Sequence, residues 1–141
     1  MIDGPLIRLD GWPARLVAFV ETRRDLPFAW GGNDCVTFAL GAVQAITGTT
    51  LKAPGWTNED EALRLLVELR GIEAATASLL GEPSDNWRRA RRGDVALIGE
   101  EKNGGGVGPI MVCTGANLVG PGLDGLQTRP VTAAVKVWRV G

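Results

Sequence analysis

The run from Cys35 to Thr47, Cys-Val-Thr-Phe-Ala-Leu-Gly-Ala-Val-Gln-Ala-Ile-Thr, is apolar nearly all the way round a helix. A helix with no polar face has to be enclosed on every side, so the remainder of the chain must wrap it. Asn33 or Asp34 is its natural N-cap and Gly48 its stop. The 141 residues available for the wrapping amount to one domain, on a prior of about 100–200 residues per domain. The expected unit is therefore 1–141 as a single domain.

The chain changes character after this helix and its neighbours. From about residue 10 to 80, apolar residues recur at three-to-four spacing, whereas from about 93 to 141 short β-prone runs alternate with glycine turns. A first helix begins at Asp10-Gly11-Trp12-Pro13 and ends near Arg23–Asp25, before Pro27. Asn58 with Glu61 resembles a capping box for a third helix contributing Leu63, Leu65, Leu66 and Leu69 to the core. Residues 73–80 read as a short fourth helix and 82–92 as a connector. Strands are expected at Val95–Ile98, Ile110–Thr114, Asn117–Val119, Leu126–Thr128 and Ala134–Val140. Helices first and strands afterwards make an α+β protein, with an antiparallel meander or half-barrel as its second half.

Composition removes several function classes. Fifteen Lys+Arg against sixteen Asp+Glu leave no basic excess to hold a polyanion, so no nucleic-acid partner is expected. The four arginines of Arg88-Arg89-Ala90-Arg91-Arg92 read as a solvated connector. The tract 104–108 reads as a glycine-rich loop tip, and it lacks the Lys-Ser/Thr that completes a phosphate loop. No apolar run spans a membrane and Met1–Pro5 has no signal-peptide layout, so a cytoplasmic product without a membrane span is expected. Histidine and tyrosine are both absent, which excludes a Ser–His–Asp triad, a Cys–His pair and a His-ligated zinc built from this chain. No metal and no cofactor is expected.

Chemistry is concentrated around Trp30-Gly31-Gly32-Asn33-Asp34-Cys35. Two glycines let the backbone approach a neighbour closely, and a capping pair then presents Cys35 in the first turn of the buried helix. Free amides and the positive helix end favour a thiolate there and can stabilise an oxyanion. Cys35 is thus the candidate nucleophile, with Trp30, Gly31, Gly32, Asn33 and Asp34 as candidate cleft-lining residues. The bland alternative is a small buried hydrophobe opening a core helix.

The same run, followed by Gly93-Asp94-Val95 entering a strand, resembles the NlpC-type branch of papain-like cysteine peptidases. More narrowly, it is similar to a small phage and prophage family of that type encoded among tail genes. The turn Gly120-Pro121-Gly122-Leu123-Asp124-Gly125 and the terminal Trp138-Arg139-Val140 belong to the likeness. The resemblance implies a papain-like fold, Cys35 as nucleophile, and a His base opening the strand after Gly93-Asp94. Residues 105–112 hold no titratable group, and Asn117 could only orient a base that is missing. It implies a phage or prophage tail-associated protein, in the tail tip or its assembly, made in the bacterial cytoplasm and carried in the virion. Other tail proteins are its expected partners. Alternatives are a peptidoglycan-cleaving peptidase or amidase whose base comes from a partner, and a cell-wall peptide- or glycan-binding module. The resemblance also places the strand of Cys113 beside the Cys35 helix, opening a disulfide or two free thiols.

Overall fold

The computed structural model describes residues 6–52, 55–100 and 106–141. Among the described residues, four α-helices and a short 3-10 turn (Trp87–Arg89) precede the sheet: α1 (Trp12–Arg23), α2 (Cys35–Thr47), α3 (Glu59–Glu68) and α4 (Ile72–Leu80). The strands are β1 (Val95–Glu100), β2 (Gly106–Cys113), β3 (Asn117–Gly122), β4 (Gly125–Pro130) and β5 (Ala134–Trp138). They form one antiparallel sheet in the order β4-β3-β2-β1-β5. The first four strands are a meander, and β5 returns to the far side of β1. The α+β class expected from the sequence is the one observed.

Residues of alternate parity on each strand face opposite sides of the sheet, and the two faces make two cores. Val95 and Leu97 on β1, Ile110 and Val112 on β2, and Val119 on β3 turn toward α1 and α2. Ala96, Ile98, Met111, Cys113 and Leu118 turn the other way, under Trp87, Ala90, Val131 and Ala133. The face toward the helices is the larger core because α2 fills it. Phe38, Ala39, Ala42, Val43 and Ile46 of that helix are all fully buried, each large one contributing about 1.5–3 kcal/mol.

Helix α1 lies close on α2 because Gly41 has no side chain. A Cβ there would sit 2.7 Å from the Phe19 ring, which instead packs against Phe38 with centroids 5.2 Å apart. Arg8 ties the segment before α1 to the residues after β5, its guanidinium donating to the Val140 carbonyl at 2.7 Å and to Asp94 at 3.0 Å. The buried Asp94 carboxylate also accepts from the backbone N–H groups of Val140 and Arg91. The Gly93-Asp94 signal thus marks a structural acceptor joining the chain's two ends to the sheet.

Three expectations need correction. Gly106, Val107 and Gly108 belong to β2, with Val107 opposite Gly99 and Gly106 opposite Glu100; Gly104 and Gly105 lie outside the described residues. Leu63 is half exposed, because the inward stripe of α3 runs through Ala62, Leu65 and Leu66 and continues to Leu69 just past the helix end. Asn58 does accept from the Glu61 N–H, but the Glu61 carboxylate bonds Thr57 rather than closing the box on Asn58.

Candidate functional site

Cys35 is the first residue of α2, and the local sequence explains how it is held. Asp34 has extended backbone, its carboxylate accepts from the Thr37 N–H, and its own N–H donates to Thr37 Oγ1. This reciprocal cap sets the helix start. The second carboxylate oxygen accepts from the Gly31 N–H at 2.8 Å and from Trp56 Nε1 at 2.6 Å. One buried carboxylate, 2% exposed, therefore joins the glycine turn, the helix and the Trp56 loop.

Gly31 is required by this arrangement. Its φ of 77° lies in the left-handed region, and a Cβ would fall 2.2 Å from the Trp56 carbonyl oxygen. Asn33 is buried as well and braces the preceding loop, its amide donating to the Leu26 and Pro27 carbonyls. Its Oδ1 has no partner among the described residues. Trp30 stays 39% exposed and meets Phe28 edge-on, with centroids 4.8 Å apart.

The thiol of Cys35 stands on the wall of a cavity of about 130 Å³. Val36, Ala39 and Leu40 of α2 form one side and Ile110 of β2 another. Leu65 and Leu66 from α3, Leu69 just past its end, and Ile72, Ala75, Leu79 and Leu80 from α4 close it, with Trp30 and Trp56 at the loop end. Of the expected cleft residues, Trp30 and Asp34 stand on this wall. Gly31 lines a neighbouring groove with Trp56; Gly32, which is exposed, and the buried Asn33 are not on the wall and belong to the turn before α2. The leucines and Ile110 were not singled out as site residues by the sequence. The period of α3 and the even spacing along β2 are the signals that could have found them.

The environment corrects the thiolate expectation. Burial pushes the Cys35 thiol from the ordinary 9.0 up to about 11, and the nearby Asp34 charge pushes the same way. Amides of Ile110, Cys35 and Val36 oppose this without overcoming it. In this apolar surrounding the helix terminus loses to desolvation. The β2 residue beside the sulfur is Ile110, so the strand presents an aliphatic side chain to this wall of the cavity. Asn117 is exposed at the start of β3, on a different groove that it shares with Leu16 and Leu126.

Cys113 is buried on the opposite face of the sheet from Cys35. Both thiols are free: β2 does lie beside α2, but the alternation that sends Ile110 and Val112 toward the helix sends Cys113 away. Among the described residues, no three of His, Cys, Asp or Glu gather to hold a metal, and no helix is long and apolar enough to cross a membrane.

A family described as a domain of unknown function (DUF6950) matches residues 7–140. No curated protein and no solved structure matches the chain.

Proposed function

We propose, from the premise that the chain belongs to the DUF6950 family, that it is a phage or prophage tail-associated protein without hydrolytic turnover of its own. In this reading the fold is a papain-like, NlpC-type scaffold kept for the tail tip or its assembly. The tail assignment is supported by the resemblance carried by Trp30–Cys35, Gly93–Val95, Gly120–Gly125 and Trp138–Val140.

The observation that carries the loss of turnover is Ile110 beside the Cys35 sulfur. A thiol with a pKa of about 11 is ionised in roughly one molecule in ten thousand at neutral pH. Amide cleavage also needs an acid to protonate the departing amine, and loss of a triad base removes several powers of ten in rate. The nearest carboxylate, Asp34, is already accepting three hydrogen bonds.

The test has two arms. Purified protein and Cys35→Ala are incubated with peptidoglycan stem peptides, and a Cys35→Ala gene replaces the wild type in the phage or prophage. The expected results are no cleavage by either protein and normal particle yield with the variant, the protein being found in purified tails by mass spectrometry. Cleavage by the wild type that disappears in Cys35→Ala would overturn the loss of turnover; absence from particles would overturn the tail role.

A further inference from the structure

The cavity beside Cys35 is more apolar than a site for a peptide or glycan would be. Apart from Trp30 at the exposed mouth and the Cys35 thiol, its polar side chains are engaged within the protein. Thr76 Oγ1 donates to the Ile72 carbonyl at 2.7 Å and Ser78 Oγ to the Ala75 carbonyl at 2.6 Å. Trp56 Nε1 and the Asp34 carboxylate are bonded to one another. A sugar or peptide backbone entering here would lose water and find few partners beyond Trp30 at the mouth, which is costly for each polar group left unpaired. A hydrocarbon group loses nothing by the same move.

Size and access narrow the occupant. The volume is about 130 Å³, close to that of a leucine-lined cavity of about 150 Å³ that stays dry and takes up benzene. The cavity reaches the surface where Trp30 is exposed and where Leu65, Leu66 and Leu69 are only half buried. Helix α4 reaches the main core through Ile72, Leu79 and Leu80, and the same three side chains form its part of the cavity wall. Leu65 and Leu66 of α3, with Leu69 just past its end, close the cavity opposite Val36, Ala39 and Leu40 of α2.

We propose that this cavity is a binding site for one compact hydrocarbon group, about the size of a benzene ring, carried by a small molecule whose polar end remains in solvent beside Trp30. The Cys35 thiol forms part of the wall and takes no covalent role. The site does not depend on the tail assignment, and it selects against polar cell-wall fragments.

Cys35 itself reports occupancy. The full-length protein is treated with iodoacetamide at about pH 8.5, where some thiolate exists. Labelling of Cys35 and Cys113 is separated by peptide mapping, with benzene, 1-hexanol, glucose or muramyl dipeptide present. Benzene and hexanol should slow Cys35 labelling about tenfold at ten times their dissociation constant, raise the melting temperature, and leave Cys113 labelling unchanged. Glucose and muramyl dipeptide should do neither. Ala75→Leu, which fills the cavity from α4, should abolish both effects. If that variant does not fold, methyl NMR of the parent protein decides: benzene must shift Leu65, Leu66, Leu69, Ile72, Leu79 and Leu80 above all others. The proposal is overturned if benzene and hexanol leave Cys35 labelling and melting unchanged, if their effects persist in a folded Ala75→Leu protein, or if muramyl dipeptide protects Cys35 and they do not.

Discussion

Replacing Asp34 by Ala should be the most damaging single change at the site, because three separate pieces of backbone and side chain converge on one buried carboxylate. The substitution removes the cap on the Thr37 N–H, the bond from the Gly31 N–H and the bond from Trp56 Nε1. A helix cap is worth about 1 kcal/mol, and a hydrogen bond to a charged acceptor about 1.5–3 kcal/mol. These contributions overlap, so we expect a loss of about 3–5 kcal/mol, a large share of the 5–15 kcal/mol typical of a domain. The melting temperature should fall by about 10–15 °C, at about 3 °C per kcal/mol for a chain of this size. Urea unfolding followed by tryptophan fluorescence measures it directly, with an unchanged m-value showing that the same surface is exposed. Asn58→Ala is the internal comparison, since that exposed cap holds a single N–H and should cost about 0.5–1 kcal/mol. A loss below about 1 kcal/mol for Asp34→Ala would refute the view that the carboxylate is a three-way tie.

Stability should decline from about pH 9 to 11, because the folded-state thiol of Cys35 holds its proton more tightly than the unfolded one. Folded protein then binds the extra proton, so unfolding becomes easier as pH rises through that window, by about 2–3 kcal/mol in all. Cys35→Ala should flatten the part of the slope that Cys35 supplies, as seen in urea midpoints across pH; an unchanged slope would contradict the assignment. Gly31→Ala should cost about 2–4 kcal/mol through its left-handed backbone and the collision with Trp56. Gly32→Ala, where a Cβ meets nothing within 4 Å, should stay within about 0.5 kcal/mol.

Helix α2 was legible because every local signal agreed: a capping pair, an unbroken apolar circumference and a terminal glycine. The left-handed φ of Gly48, 74°, is the stop that its position implied. The start of β2 was hidden by Gly106, Gly108 and Pro109, residues that signal turns unless a partner strand holds them, and Gly99 and Glu100 of β1 are that partner. Leu63 misled because α3 is short and its leucines crowd more than one face, so only packing chooses among them.

At the site, the sequence supplied the place of Cys35 in the first turn of α2 and the aliphatic character of the facing β2 residues. It did not supply the sign of the thiol shift. The helix end and Asp34 are neighbours of Cys35 in the chain, whereas the desolvating wall of Leu65, Leu69, Ile72 and Leu80 is assembled from α3, the residue just past its end and α4. The ionisation of a group at a helix terminus depends on that distant wall as much as on its own turn. The fate of Cys113 was decided similarly, by which face of β2 its parity selects.

The central claim is that Cys35 is a protonated thiol walled by aliphatic groups. Its most direct test is the pH dependence of Cys35 alkylation, followed by peptide mapping between about pH 5 and 11.5, a range spanning the ordinary thiol pKa. The rate should climb throughout the alkaline range with an apparent pKa near 11. A plateau reached by about pH 7, as in an activated cysteine nucleophile, would contradict the account.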